Sequence, residues 1–402
     1  MITIKGKHNT ALCFTDDVEY EAREQLKRMV NDPVFAGCKI RIMPDVHAGK
    51  GCTIGTTMTI GEKVSPALVG LDIGCGMYTV SLGKVDIDLK AFDRAAHLLP
   101  SGHGTWKEAR NAFDFTKLLC YQDIKRISAT ACSLGTLGGG NHFIELDRDD
   151  EGEIYLVVHS GSRYLGAQVA EHYLDVAVEL AADRDGYLAE RQEITRTYKR
   201  EGRDVQIQSA LRKLESAWQT KKNAISRERS VLYGQALKDY LFDLDLTVSF
   251  ARMNREIIAK FLLEQVGVRP LDSFHTIHNY IDVTTGILRK GAISAEKGER
   301  ILIPINMRDG SLLCVGKGNE DWNRSAPHGA GRLMSRADAR RRITLDEYVK
   351  SMEGIYTTSV GMNTIDESPM AYKSIRDITK NIRPTCSVER RLTPIYKFKA
   401  GT

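Results

Sequence analysis

Two glycine-broken, β-type stretches stand on either side of about a hundred residues that read as helix, and neither can close a core alone. From about 38 to 82 the chain runs through "CKIRIMPD", "CTIGTTMTI" and "ALVGLDIGCGMYTVSL". From 132 to 160 it holds the turn "LGTLGGG" and then "NHFIEL" and "IYLVVHS", and strand-type segments return at 275–317. Between them, Val169, Tyr173, Val176 and Leu180 share one helical stripe, as do Leu211, Leu214 and Trp218. Strand material that needs partners from both sides of a helical stretch predicts one α+β domain over 1–402, with a mostly helical insertion at 166–265. A further helix is expected over 16–31, on the stripe Val18, Ala22, Leu26 and Met29. Others are expected near 332–341 and 345–353, before a short extended tail.

A chain of 402 residues, 42% hydrophobic and 27% charged, is long enough to bury a sizeable core. It has no apolar run of membrane-spanning length, and "MITIKGKHNT" does not read as an export leader. The cysteines at 13, 38, 52, 75, 120, 132, 314 and 386 form no C-x-x-C pair, so reduced thiols and a cytoplasmic location are expected. No membrane partner is expected; the oligomeric state is open, with a monomer as the default. Net charge is +5, and residues 191–229 carry eleven Lys/Arg against five Asp/Glu, so the rest of the chain nets about −1. A localised basic element suits a polyanion, nucleic acid above all, although a solvated helical hairpin would have the same composition.

Chemistry-bearing residues gather at strand ends and turns. "LDIGCGM" sets Asp72 and Cys75 three apart; "GGGNHFIE" and "VVHSGSR" give Asn141, His142, Glu145 and His159; "HTIHNYID" gives His275, His278 and Asn279. Carboxylate, thiolate and imidazole together can fill the coordination sphere of a transition metal, and Zn²⁺, Mn²⁺, Fe²⁺ and Co²⁺ all stay open. In "SAPHGAGRLMSR", His328 stands before Gly329 and Gly331, and Arg332, Arg336 and Arg340 recur every four residues. If the segment after Gly331 is helical, the three guanidinium groups share a face, and a helix start beside them favours phosphate. Neither the dinucleotide fingerprint nor the P-loop occurs. The residues thus point to a metal-dependent, phosphate-handling protein with a basic helical arm.

Taken in order, "MPDVHAGKGCTIG", "GLDIGCGM", "LGTLGGGNHFIE", "VVHSGSR", "HNYID", "RKGAI", "HGAGRLMSR" and "DESPMAYKSI" resemble the successive motifs of the RtcB family, the GTP-dependent RNA ligases. The resemblance runs from about residue 40 to the C-terminus, without extending to the details of 180–260. It implies that His328 is the nucleophile that becomes guanylylated. It implies that Asp72, Cys75, His142, His159 and His278 hold two Mn²⁺ ions, with Asp45 an acidic residue near the metals. It places Asn141, Glu145, Asn279, Pro304, Asn306, Met307, Ser311, Gly329, Gly331, Tyr372 and Lys399 around GTP, with Lys397 as the alternative to Lys399. Glu145 would accept hydrogen bonds from guanine N1 and N2, or orient His328. Arg163, Lys290 and Arg336 would hold RNA phosphates.

The implied reaction joins an RNA 3′-phosphate or 2′,3′-cyclic phosphate end to a 5′-hydroxyl end through a histidine–GMP intermediate, in RNA repair or tRNA splicing. Two other readings compete with it. One is a metal-dependent 2′,3′-cyclic phosphodiesterase that does not ligate; the other is a non-catalytic binder of broken RNA. The segment "PINMRDGSLL" departs from the family's run of small residues, with Ile305, Asn306 and Arg308 where small side chains are usual. Bulk there is expected to narrow the nucleotide pocket or to change the base it accepts.

Overall fold

The structure, a computed structural model, describes residues 1–399; Ala400, Gly401 and Thr402, the end of "KFKAGT", lie outside the described residues. Ile154–Ser160, "IYLVVHS", is buried along its whole length, so it must lie inside a sheet with both faces covered. It does. A seven-stranded sheet runs Asp272–Ile277, Gly76–Gly83, Ile154–Ser160, Phe143–Arg148, Cys386–Phe398, Gly310–Gly316 and Arg300–Asn306, every neighbouring pair antiparallel. The two β-type stretches therefore share one sheet, and the chain is a single α+β domain.

The expected short tail needs correcting. Cys386–Phe398 is a 13-residue strand in the interior of that sheet, between Phe143–Arg148 and Gly310–Gly316. Its pairing with Phe143–Arg148 shifts register between Pro394 and Tyr396, and beyond the shift Lys397 stands directly opposite Glu145. The extra residue of a bulge turns the following side chains to the other face.

A six-stranded sheet runs Ile2–Lys5, Thr10–Cys13, Ile40–His47, Ile54–Thr59, Ile287–Lys290 and Asn279–Asp282, and only its pair Thr10–Cys13 with Ile40–His47 is parallel. Ile40–His47 carries Asp45 at one of its buried positions. A two-stranded ribbon of Ala292–Ser294 with Ser325–Pro327 delivers the chain to His328.

The helical stretch divides into two kinds of element. Gly234–Val266, 33 residues and about 50 Å long at 1.5 Å per residue, runs through two apolar clusters. It gives Leu237, Tyr240, Leu244 and Phe250 to one, and Ile258, Ala259, Leu262 and Leu263 to the other. Burial of such side chains contributes about 1.5–3 kcal/mol each. Arg163–Ala181 likewise packs Leu165, Val169, Tyr173 and Ala177 inward. By contrast, Arg184–Arg200 and Asp204–Ala224 form a peripheral pair in which only Tyr187 is buried. Its ring stacks on Trp218, centroids 4.4 Å apart.

The segment after Gly331 also departs from expectation. The helix starts at Arg336, not at Arg332, because Ser335 caps it by accepting a hydrogen bond from the Asp338 backbone N–H. His328 is thus eight residues short of that helix. No helix among the described residues is long and apolar enough to cross a membrane. All eight cysteines are free.

Candidate active site

Three loops meet at the end of the long helix's polar patch. Arg255 is fully buried, and its Nη1 donates to the carbonyls of Gly74 and Ser160, both at 2.8 Å. Asn254 accepts from the N–H groups of Gly135 and Thr136 and donates to Ser160 Oγ and the Gly161 carbonyl. Leaving buried polar groups unpaired is costly, so these bonds fix the loops that present the cluster, while Arg255 Nη2 has no partner among the described residues. Sequence reasoning missed both. The only signal was two polar residues interrupting the inward stripe of a long helix.

Asp72, Cys75, His142, His159 and His278 come together. Cys75 Sγ lies 3.4 Å from His142 Nε2 and 3.3 Å from His159 Nε2, and His159 Nε2 is 3.1 Å from His278 Nε2. His142 Nε2 is 3.4 Å from Asp72 Oδ2. The donors form two groups, Cys75–His159–His278 and Asp72–Cys75–His142, each within 4.8 Å, with Cys75 common to both. Gly161 is required here: a Cβ on it would come 2.0 Å from Asp72 Oδ1.

The chemistry of the donor set fits metal. His142 Nδ1 meets the Leu137 carbonyl at 2.8 Å and His159 Nδ1 the Asn141 carbonyl at 3.1 Å. Those bonds assign the proton to Nδ1 and leave both Nε2 lone pairs turned to the cluster. Two imidazole nitrogens 3.1 Å apart are then stable only around a shared proton or a cation. Without metal, burial and the neighbouring imidazoles hold His159 and His278 well below their ordinary range. Burial, reinforced by Asp72, pushes the Cys75 thiol far up. For Asp72, burial works against ionisation, but hydrogen bonding and charge from His142 hold its carboxyl well below the usual carboxylate range. A divalent cation acts with the first and last of these pressures, favouring neutral imidazole and carboxylate, and reverses the one on Cys75 by favouring thiolate.

His328 lies beside this cluster, its ring centroid 4.8 Å from that of His278. Its Nδ1 is 2.7 Å from Asp45 Oδ2, which also accepts the His328 backbone N–H at 3.1 Å. Asp45 is fully buried. It contacts the candidate nucleophile beside the cluster and belongs to neither metal-donor group. Gly331, at φ +74°, lets the chain pass over Asp45; a Cβ there would come 2.5 Å from the Asp45 carbonyl oxygen.

A cavity opens from His159 and His328, and Asn141, Pro304, Asn306, Met307, Gly329, Gly331, Tyr372, Arg336 and Lys399 line it. Arg332, expected to handle phosphate, and Lys397, the alternative to Lys399, line it as well, as do His47 and Glu367, to which sequence reasoning assigned no role. Glu145, Asn279 and Ser311 do not. Glu145 is fully buried and ion-paired with Lys397; Asn279 Oδ1 accepts from the Gly291 N–H; Ser311 is buried opposite Pro304 in the sheet. Nor do the other two expected phosphate contacts reach it. Arg163 donates to Thr136 Oγ1 and the Gly102 carbonyl, and buried Lys290 donates to the Val69 carbonyl at 2.7 Å.

Arg332, Arg336 and Arg340 do converge, Arg336 and Arg340 from one face of the helix Arg336–Arg342 and Arg332 from the segment before it. They meet at the buried pair Asp366 and Glu367: Arg332 Nη2 donates to the Asp366 carbonyl, Arg336 pairs with both carboxylates, and Arg340 pairs with Asp366. Glu367 Oε2 also accepts from Tyr372 at 2.6 Å and pairs with Lys399. Burial opposes the charge on Glu367, but Lys399 and Arg336 bring its pKa down to about 2. Across the cavity, the "INMRDG" loop brings Ile305, Asn306 and Met307 into the lining. Asn306 Oδ1 accepts the N–H groups of Arg308 and Asp309, closing a turn. Arg308 lies outside the cavity lining and pairs with Asp309.

The family model described as "tRNA-splicing ligase RtcB" matches residues 25–120 and 103–400. The chain is 29% identical over 390 residues to "RNA-splicing ligase RtcB1" of Escherichia coli strain ATCC 25922, covering 89% of each chain. It is 28% identical over 405 residues to "RNA-splicing ligase RtcB" of Escherichia coli K12, again covering 89% of each. It is 26% identical over 446 residues to "tRNA-splicing ligase RtcB" of Aeropyrum pernix, covering 91% of this chain and 89% of that one.

Proposed function

This chain belongs to the RtcB family, and on that footing we propose that it is an RNA ligase that joins 3′-phosphate or 2′,3′-cyclic phosphate ends to 5′-hydroxyl ends, using GTP and His328. The observation that carries the reading is the Asp45–His328 contact at 2.7 Å beside the histidine–cysteine cluster. Asp45 holds the proton on Nδ1, and Nε2 makes no hydrogen bond to the described residues. A nucleophile oriented by a buried carboxylate is the arrangement that activates histidine for attack.

His328 Nε2 attacks the α-phosphorus of GTP, a phosphoramidate bond forms, and pyrophosphate leaves. The RNA 3′-phosphate, generated where needed by hydrolysis of the cyclic phosphate, then takes GMP from the histidine. The 5′-hydroxyl attacks the activated phosphate, the phosphodiester forms, and GMP leaves. Asp72, Cys75, His142, His159 and His278 would hold two divalent cations, Mn²⁺ in this reading, which when bound neutralise charge on the reacting phosphates. Arg332 and Arg336 reach the cavity with their positive charge already oriented by Asp366 and Glu367. Tyr372 and Lys399 extend the same wall. The phosphodiesterase reading leaned on bulk at 305–308: Arg308 turns aside to Asp309, whereas Ile305 and Asn306 line the cavity, so nucleotide labelling decides between the two.

The test is incubation of the protein and of His328→Ala with α-labelled GTP and Mn²⁺, followed by denaturation. Label retained by the parent and absent from the variant is the expected result. Absence of label from GTP, ATP, CTP and UTP alike refutes the nucleotidyl route.

A further inference from the structure

The positive charge concentrated in residues 191–229 gives nothing to the lining of the catalytic cavity. The last residue of that segment, Arg229, instead lines a second cavity of about 610 Å³. One loop serves both cavities. His47 lines the catalytic one, and Gly49, Lys50, Gly51 and Cys52 line the second. Three residues of chain span at most about 11 Å, so Lys50 stands within that distance of His47. The loop is clamped up to Gly49 and free of partners after it. Glu19 Oε1 accepts the Ala48 N–H at 2.6 Å, and Gln25 both accepts the Gly49 N–H and donates to the Gly49 carbonyl. The N–H groups of Lys50, Gly51 and Cys52 make no hydrogen bond to the described residues. Gly51 is at φ +80°, and a Cβ on it would come 2.2 Å from the Ala67 carbonyl oxygen, so the turn admits no larger residue. Successive unpaired N–H groups in a glycine turn suit an anion, and Cys52 is buried, where an N–H without a partner is costly.

Cations from three separate segments stand around this turn. Lys50 comes from the loop itself, Arg28 from the helix Tyr20–Val30 and Arg229 from the short helix Arg227–Arg229. All three are exposed, and none pairs with a carboxylate among the described residues. Their neighbours do pair: Lys27 with Glu24, and Arg227 with Glu171 and Asp175. Of the two carboxylates in the lining, Asp32 accepts the Val34 N–H and Glu228 is exposed. Unpaired cations converging on unpaired N–H groups fit a phosphate. We propose that the second cavity is an RNA subsite: it takes a backbone phosphate of a strand whose end lies in the catalytic cavity, and leads that strand on to the basic helices Arg184–Arg200 and Asp204–Ala224. The proposal rests on the RNA-ligase reading above and deepens it. The strand ending in a 3′-phosphate and the strand beginning with a 5′-hydroxyl offer the same phosphodiester, and the experiment separates them.

The experiment is binding of single-stranded RNA to the full chain, without GTP and over a range of salt, for the parent, Lys50→Gln and Arg229→Gln. One set of RNAs ends in a 3′-phosphate and is lengthened at its other end; a second set begins with a 5′-hydroxyl and is lengthened likewise. In at least one set, strands long enough to reach the second cavity should bind each variant roughly fivefold to tenfold more weakly than the parent at low salt, with the salt slope reduced by about 0.7 per cation removed. Mononucleotides, measured by competition, should bind parent and variants alike. The set in which the loss sets in with length names the strand. Equal affinity and slope for parent and variants at every length overturns the proposal. A loss of the same size for mononucleotides overturns it too, because the cations would then act as a general field and not as a subsite. If Lys50→Gln fails to fold, Arg229→Gln, which lies outside the shared loop, decides alone. A parent that binds neither set refutes the RNA reading and this proposal with it, whereas a parent that binds and variants that match it refute this proposal alone.

Discussion

Asp45→Asn isolates the contact on which the proposed chemistry depends. The side chain keeps its shape and loses its charge. In the structure Asp45 Oδ2 takes two hydrogen bonds from His328, one at 2.7 Å from Nδ1 and one at 3.1 Å from the backbone N–H. A hydrogen bond to a charged group contributes about 1.5–3 kcal/mol. At about 1.36 kcal/mol per tenfold in rate, orientation alone is worth roughly ten- to 150-fold. Asparagine can also turn its amide N–H toward Nδ1, which would move the ring proton to Nε2 and remove the attacking lone pair. The wrong tautomer in an analogous histidine–carboxylate pair lowers kcat by about 10⁴. Guanylylation of His328 should therefore slow by about 10²–10⁴, read as the single-turnover rate of label transfer from α-labelled GTP. Sealing of a synthetic RNA already carrying a 3′-guanylate by-passes His328 and should slow far less. A slowing of less than about tenfold, or equal slowing of both reactions, would show that Asp45 does not act by orienting this imidazole.

Three further outcomes are expected. Cys75→Ala should abolish binding at both metal groups, because Cys75 belongs to both, whereas His278→Ala should spare the Asp72–Cys75–His142 group; metal content per chain after dialysis separates them, and one retained ion in Cys75→Ala would sink the shared-ligand reading. Asp147 is fully buried with no hydrogen-bond partner for either oxygen among the described residues, and burial pushes its carboxyl well above the usual range. Below pH about 4 both folded and unfolded chains hold that proton; above it the unfolded chain ionises first, so this contribution to stability is lost as pH rises through the elevated folded value. Asp147→Asn should flatten that slope in denaturant titrations and gain roughly 1–3 kcal/mol at neutral pH, and parallel curves for parent and variant would contradict it. The peripheral helices Arg184–Arg200 and Asp204–Ala224 lie beyond Arg163–Ala181, a 19-residue helix about 28 Å long that starts beside the metal cluster. Neutralising Arg191, Lys199, Arg200, Arg212 and Lys213, all exposed or half-buried, should weaken RNA binding and reduce its salt slope by about 0.7–0.9 for each RNA phosphate left without its cation; unchanged affinity would remove the arm from the interface.

What the sequence determined by itself was chemistry carried by short contiguous stretches. "LDIGCGM", "GGGNHFIE", "VVHSGSR" and "HNYID" each place donor atoms in a glycine-flanked turn or at a strand end, and the five donors meet in the fold. The single α+β domain was legible for a similar reason: the period of apolar residues reports strand or helix locally, and strands without partners must find them elsewhere. What the tertiary structure decided depended on side chains far apart in the chain. Arg332, Arg336 and Arg340 have helical spacing, but they converge because Asp366 and Glu367 are buried among them. Asn254 and Arg255 read as helix residues until three loops close on them. Lys397 faces Glu145 only because one residue of irregularity between Pro394 and Tyr396 reverses which way the end of the strand points. A strand's alternation predicts two faces, and register alone decides which of them meets the cavity.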